Sequence, residues 1–228
     1  MQIAILLYDR FTALDAVGPY EVLSRLPDTE VTFVAECPGV VRTDTRRLAI
    51  NADAALSDLP RPDIVLVPGG FGQSDVMDDG PVHAWLRAAH EHSTWTTSVC
   101  TGSLILAAAG LLRGRRATSH WLALEQLRAL GVEVVKERYV FDGKLVTAAG
   151  VSAGIDMALA LVARIASEQV AQVIQLGIEY DPDPPFAAGS PASAPESIVE
   201  AVRAHSRFAE VTAAGEGRGE GEPLGRPS

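Results

Sequence analysis

Cys100 stands in the segment Trp95-Thr-Thr-Ser-Val-Cys100-Thr-Gly-Ser-Leu104, where a run with strand character passes directly into an apolar helical one. A nucleophile at such a corner sits in a strained turn that admits only small residues two positions to either side. Ser98 and Gly102 meet that demand, so Ser-x-Cys-x-Gly reads as a nucleophile elbow. The start of the helix aims N–H groups and positive potential at the sulfur, which favours the reactive thiolate. The bland alternative is a small cysteine buried in the core. Cys37, followed by Pro38, has no such setting and reads as structural.

A thiol nucleophile needs donors for developing negative charge and a group that moves protons. Val67-Pro-Gly-Gly70 closes another predicted central strand, and in open α/β sheets sites form beyond such strand ends. There the Gly70 amide, with that of Thr101, is a candidate oxyanion-type donor; a plain strand-to-loop turn is the alternative. The candidate acid is Asp15, in Leu14-Asp-Ala-Val-Gly-Pro-Tyr-Glu21, at the start of the helix after the first strand. Position alone favours a helix-capping role for it. Glu21 and Asp9 read as surface and loop groups. Ala117-Thr-Ser-His120-Trp121 follows a further strand, so His120 is either a base for the cysteine or a pocket-shaping residue. His83, His90 and His92 read as solvated residues on or at the end of a polar helix face.

The elements that position these residues are readable from hydrophobic spacing. Continuous apolar runs at Ile3–Tyr8 and Pro62–Pro68 have the pattern of strands buried on both faces. Further strands are expected at 31–35, 95–99, 117–118, 132–135, 138–141 and 144–147, the later ones with an antiparallel hairpin about Asp142-Gly143. Helices are expected at 14–26, with Gly18-Pro19 in the first turn, and at 81–92, 102–112, 121–130, 152–166 and 167–178. Strands alternating with helices imply parallel crossovers and a sheet covered on both faces. Beyond Tyr180 the Pro-rich stretch 181–186 reads as an extended loop. Ser193-x-x-Glu196 has the capping-box pattern of a last helix to about residue 211. One domain over 1–212 and a disordered Gly/Glu-rich tail over 213–228 are expected.

Composition bounds the function. The chain of 228 residues is 47% hydrophobic and 21% charged, a balance fit for a substantial core. Nineteen basic against 29 acidic residues give a net charge of −10, which argues against a nucleic-acid surface. The apolar run 104–112 is about half of a membrane span, the first residues lack the marks of a signal peptide, and two cysteines make no disulfide framework. A cytoplasmic protein with no membrane partner is the expectation.

At Leu14–Leu23, Val67–Gly70, Ser98–Ser103 and Arg116–Trp121 the chain resembles the ThiJ/PfpI superfamily, whose fold is like that of class-I glutamine amidotransferases. The resemblance runs from Ile3 to about Pro191. It implies a flavodoxin-like three-layer α/β sandwich with a mostly parallel central sheet and a small antiparallel hairpin. Within the superfamily the chain is most similar to the branch that adds water to isonitriles. That branch places Asp, where other members commonly have Glu, and it also matches Glu179–Pro191. The resemblance therefore implies an isonitrile substrate, no cofactor and no metal, and a homodimer. It further implies Cys100 as nucleophile, Asp15 as acid/base, Thr101 beside the sulfur, and His120 and Trp121 near the substrate. The same elbow resembles the N-terminal domains of AraC-type activators, so a ligand- or redox-sensing role is the rival, with a further hydrolytic or glyoxalase-like activity as a third.

Overall fold

Ile3–Leu6 and Ile64–Val67 are buried without a break, as strands covered by helices on both faces must be. In the computed structural model, which describes residues 1–206 and 208, they lie side by side at the centre of a seven-stranded sheet. Along the chain the first half runs β1 (Gln2–Leu6), α1 (Ala13–Leu23), β2 (Glu30–Ala35), β3 (Gly39–Arg42), β4 (Ala49–Ala52), β5 (Ala54–Ala55), β6 (Ile64–Val67) and α2 (Pro81–His92). It continues with β7 (Trp95–Val99), α3 (Gly102–Ala108), β8 (Arg116–Ala117), α4 (Leu124–Ala129), β9 (Glu133–Val134), β10 (Tyr139–Asp142) and β11 (Leu145–Ala148). Three helices follow: α5 (Ala153–Ile165), α6 (Glu168–Gly177) and α7 (Glu196–Ala204).

The sheet order is β10-β11-β7-β6-β1-β2-β5, and every pairing is parallel except β10–β11. This is the expected flavodoxin-like α/β architecture. The chain leaves β1 toward β2 and β5, then returns to β6 and builds the other way. The strand order thus reverses between β1 and β6, and a crevice opens beyond their carboxyl ends, where such sheets place their sites. Asp15 follows β1, Gly69 and Gly70 follow β6, and Cys100 follows the adjacent β7. The Asp142-Gly143 turn joins β10 to β11 as expected, with Gly143 at φ 61°.

Several local expectations are corrected. Pro19 lies inside α1 rather than in its first turn, because the helix begins at Ala13. Having no N–H, Pro19 deprives the Asp15 carbonyl of its usual donor four residues on. The helix expected over 121–130 is a 3-10 turn at Trp121–Ala123 followed by α4. β9 pairs in parallel with β8 in a sheet of two strands and does not join the main hairpin. A second hairpin, β3–β4, was not expected; Val40 on it is 70% exposed, so no buried alternation marks it. Among the described residues no helix is long and apolar enough to cross a membrane.

By its internal contacts the chain forms two units, Met1–Pro182 with the sheet and its flanking helices, and Asp183–Ser228. In the second unit α7 starts at Glu196 with Pro195 at the N-cap, and the Ser193 hydroxyl bonds to Ser190, so the capping box is not formed. The expected boundary near 212 and the tail lie outside the described residues.

A close main-chain contact joins β6 to the elbow. A Cβ on Gly102 would lie 2.1 Å from the Val67 carbonyl oxygen and 2.9 Å from that of Pro68. Both are backbone atoms at the end of a buried strand, so neither can yield cheaply. Gly102→Ala therefore lowers the unfolding free energy by about 3 kcal/mol or more, the upper range for overpacking. Urea denaturation with an unchanged m-value checks this; a loss below about 1 kcal/mol would mean the elbow moves freely against β6.

Candidate active site

Cys100 lies in the turn between β7 and α3 with φ 57°, a left-handed conformation that costs a residue with a Cβ about 1–2 kcal/mol. Four hydrogen bonds hold it there. Its N–H is shared between the carbonyls of Ala148 (3.1 Å) and Ala149 (2.8 Å) at the end of β11. Its carbonyl accepts from the hydroxyls of Ser103 (3.2 Å) and Ser119 (2.9 Å). With both ends of the residue fixed, the side chain has one direction to take. The sulfur ends beside the Asp15 carboxyl, with which it shares a hydrogen bond, and Cys100 is only 6% exposed.

Asp15 does not cap its helix. Thr12 occupies the N-cap position, and the Asp15 carboxyl reaches across to β6, where Oδ2 accepts the Gly69 N–H at 2.8 Å. The side chain is wholly buried, and Oδ1 receives no N–H or O–H donor among the described residues. Burial disfavours the charged form and pushes the carboxyl up to about 7; the Gly69 and Cys100 hydrogen bonds pull the other way, and the nearby charge of Asp44 adds to the rise. A carboxyl titrating near neutrality can both give and take a proton at physiological pH.

Gly69 is a glycine for steric reasons: a Cβ there would lie 2.5 Å from the Thr101 nitrogen and 3.0 Å from Asp15 Oδ2. The bare backbone lets β6, α1 and the elbow meet. The Gly70 amide, however, does not stand open as a donor for developing charge. It donates to Thr101 Oγ1 at 3.1 Å, so its observed role is to anchor the Thr101 side chain. The Tyr8 hydroxyl donates to the Pro68 carbonyl at 2.9 Å and ties the ends of β1 and β6 together. Cys100, Asp15, Thr101, Gly69 and Gly70 are thus brought to one place.

His120 and Trp121 stand at the start of the 3-10 turn that follows β8. His120 caps the 121–123 turn, Nδ1 accepting the Leu122 N–H at 3.3 Å, and its ring packs against Gly150. Its neighbour Ser119 makes the bond to the Cys100 carbonyl, so the loop buttresses the elbow. The other histidines divide. On α2, His83 is buried, with Nε2 on the Val76 carbonyl, His90 is half-buried with Nδ1 on Thr96 Oγ1, and His92 is exposed as expected. Cys37 is exposed rather than part of the core. Among the described residues no group of three or more His, Cys, Asp or Glu is placed to hold a metal ion.

Sequence reasoning missed Asp44, on the loop between β3 and β4. Its Oδ2 accepts from Thr12 Oγ1 at 2.9 Å, and its charge acts on Asp15. The one available signal was a polar Thr-Asp-Thr-Arg-Arg stretch between two short apolar runs, without an Asn-Gly or Asp-Gly turn to mark a hairpin.

Residues 1–164 match the model of the DJ-1/PfpI family. An isonitrile hydratase from Pseudomonas putida is 42% identical over 203 residues, covering 89% of each chain. The crystal structure of a ThiJ/PfpI family protein from Pseudomonas syringae is 37% identical with a TM-score of 0.83, over 94% of this chain and 86% of that one. The HTH-type transcriptional regulator CdhR of Pseudomonas aeruginosa is 33% identical over 161 residues, which are 69% of this chain and 48% of the regulator.

The buried acid has a measurable thermodynamic signature. Because its folded value of about 7 lies above the unfolded 3.8, the native state holds a proton that the unfolded chain has lost across that interval. Wild-type stability therefore falls between about pH 4 and pH 7 relative to Asp15→Asn, by an amount on the order of a few kcal/mol, and the gap is flat above. Urea unfolding of both proteins at pH 4.5, 6 and 7.5 reads this, and a gap independent of pH would show that Asp15 titrates as an ordinary carboxylate.

Proposed function

The chain belongs to the DJ-1/PfpI family, and we propose that within it the protein is an isonitrile hydratase, converting R–N≡C and water to an N-substituted formamide. The observation that carries this reading is a buried, proton-sharing Asp15 against Cys100 in a chain 42% identical to a hydratase over nearly its whole length. A neutral isonitrile carbon becomes electrophilic as it gains a proton, so a carboxyl in its acid form beside a thiolate is the pair this chemistry calls for.

In the proposed sequence the Cys100 sulfur adds to the terminal carbon while Asp15 gives its proton to that carbon. One C–S and one C–H bond form, leaving the thioimidate R–N=CH–S–Cys100 and an Asp15 carboxylate. The carboxylate then takes a proton from water as the water oxygen adds to the same carbon, and passes it to the nitrogen. Finally the hydroxyl proton returns to Asp15, the C–S bond breaks with its electron pair on sulfur, and the formamide leaves. The Thr101 N–H, on the residue after Cys100 and with its side chain anchored by the Gly70 N–H, is the donor assigned to charge on the adduct. No step calls for a metal or organic cofactor. His120 and Trp121 enter as residues that shape the approach to the elbow, and the homodimer implied by the likeness belongs to the same reading.

The match to a transcriptional regulator favours a second reading, in which Cys100 senses a ligand or an oxidant. The chain spans about half the length of that regulator. Turnover separates the two. Purified protein given cyclohexyl isocyanide should form N-cyclohexylformamide, followed by gas chromatography; Cys100→Ala and Cys100→Ser should abolish it. Asp15→Asn should slow it about 100-fold or more with the fold intact. Absence of product while Cys100 still reacts with peroxide would move the assignment to the sensor.

A further inference from the structure

The loop 43–48 between β3 and β4 lies against the residues that hold Asp15. Phe11 bridges to Thr43 on one side and to Gly70 on the other, and the Asp44 N–H donates to the Phe11 carbonyl at 2.9 Å. Thr12 is the hub. Its N–H donates to the Gly69 carbonyl at 2.8 Å, its carbonyl accepts the Asp15 N–H at 3.1 Å, and its hydroxyl donates to Asp44 Oδ2 at 2.9 Å. The Gly69 N–H closes the ring on Asp15 Oδ2. Asp44 Oδ1 is itself held by the Thr45 N–H at 2.7 Å, so this carboxylate is fixed at both oxygens.

We propose that Asp44 is a positioning residue for the Asp15–Cys100 pair: it fixes Thr12, and with it both groups that orient Asp15. The proposal deepens the hydratase reading, since an acid that must deliver a proton is served by a second carboxylate that keeps it protonated.

The surrounding charges are consistent with that role. The groups acting on Asp15 are the Cys100 thiol from the elbow, the Gly69 amide from the loop after β6, and Asp44 from the hairpin; no cation is among them. Four arginines lie nearby in sequence, and the structure turns three of them elsewhere. Arg10 pairs with Asp75 (2.5 Å), Arg46 with Asp9 (3.0 Å), and Arg42 donates to the Arg46 carbonyl. The fourth, Arg47, is exposed. Two of these cations are thereby held by other carboxylates and a third by a backbone carbonyl.

The test separates charge from position and does not depend on turnover. In full-length protein labelled with carboxyl-13C aspartate, one signal should titrate near pH 7 and be missing in Asp15→Asn. Asp44→Asn keeps a link to Thr12, because its amide donates to the hydroxyl, but removes the charge; the midpoint of that signal should move to lower pH. Asp44→Ala and Thr12→Val break the link, and each should in addition slow Cys100 alkylation by iodoacetamide, or change its pH profile, while the far-UV spectrum stays native. A midpoint unmoved in Asp44→Asn overturns the proposal, whatever the other variants do. Absence of isonitrile turnover with the midpoint shifted would instead overturn the hydratase reading and leave the positioning role standing.

Discussion

The carboxyl edge of this sheet is organised around one unfavourable burial, that of the Asp15 side chain. A carboxyl group taken wholly out of water must be hydrogen-bonded, neutralised or both. Here a single backbone amide, from Gly69, and a neighbouring thiol are what it receives, and burial outweighs both in setting its protonation. The cost is borne by a sheet whose central strands are fully buried, and it leaves a carboxyl pushed up to about 7 beside the Cys100 thiol. The remaining polar contacts of the edge are organised around it: Thr12 on Gly69, Gly70 on Thr101, Tyr8 on Pro68.

The elbow has a second constraint of the opposite kind, conformational rather than electrostatic. Cys100 adopts a backbone conformation that glycine would favour, and its own peptide groups are bonded at both ends to hold it. The partners come from three separate parts of the chain: acceptor carbonyls at the end of β11, and donor hydroxyls from the first turn of α3 and the loop carrying Ser119. A strained residue persists only where its surroundings over-determine it. In this fold the over-determination is supplied by distant segments, so the reactivity of the thiol is coupled to the integrity of the whole carboxyl edge.

Much of this was legible beforehand, for identifiable reasons. The buried runs of β1 and β6 and the Ser-x-Cys-x-Gly spacing report on constraints that act within a few residues, and the fold, the elbow turn and the place of Asp15 beside it followed. What was not legible depends on contacts far apart in sequence. Whether Asp15 caps its helix or crosses to β6 is decided by the position of Gly69, 54 residues away. The Gly70 amide looked open because nothing in Val-Pro-Gly-Gly says that the Thr101 hydroxyl will occupy it. The β3–β4 hairpin was invisible because it is short and solvent-facing, and Asp44 with it. His83 escaped because its helix looks polar, although the ring is turned inward to the Val76 carbonyl.

The contact between Gly102 and the Val67 carbonyl has a consequence for redesign. Where main chain rests on main chain, no choice of side chain can widen or narrow the gap, so the spacing between the elbow and the end of β6 is a fixed parameter of the scaffold. Mutant libraries that diversify 69, 70 or 102 would spoil the frame before altering selectivity. The loops 43–48 and 118–121 hold the frame through Asp44 and Ser119, so variation there has to leave those two residues in place.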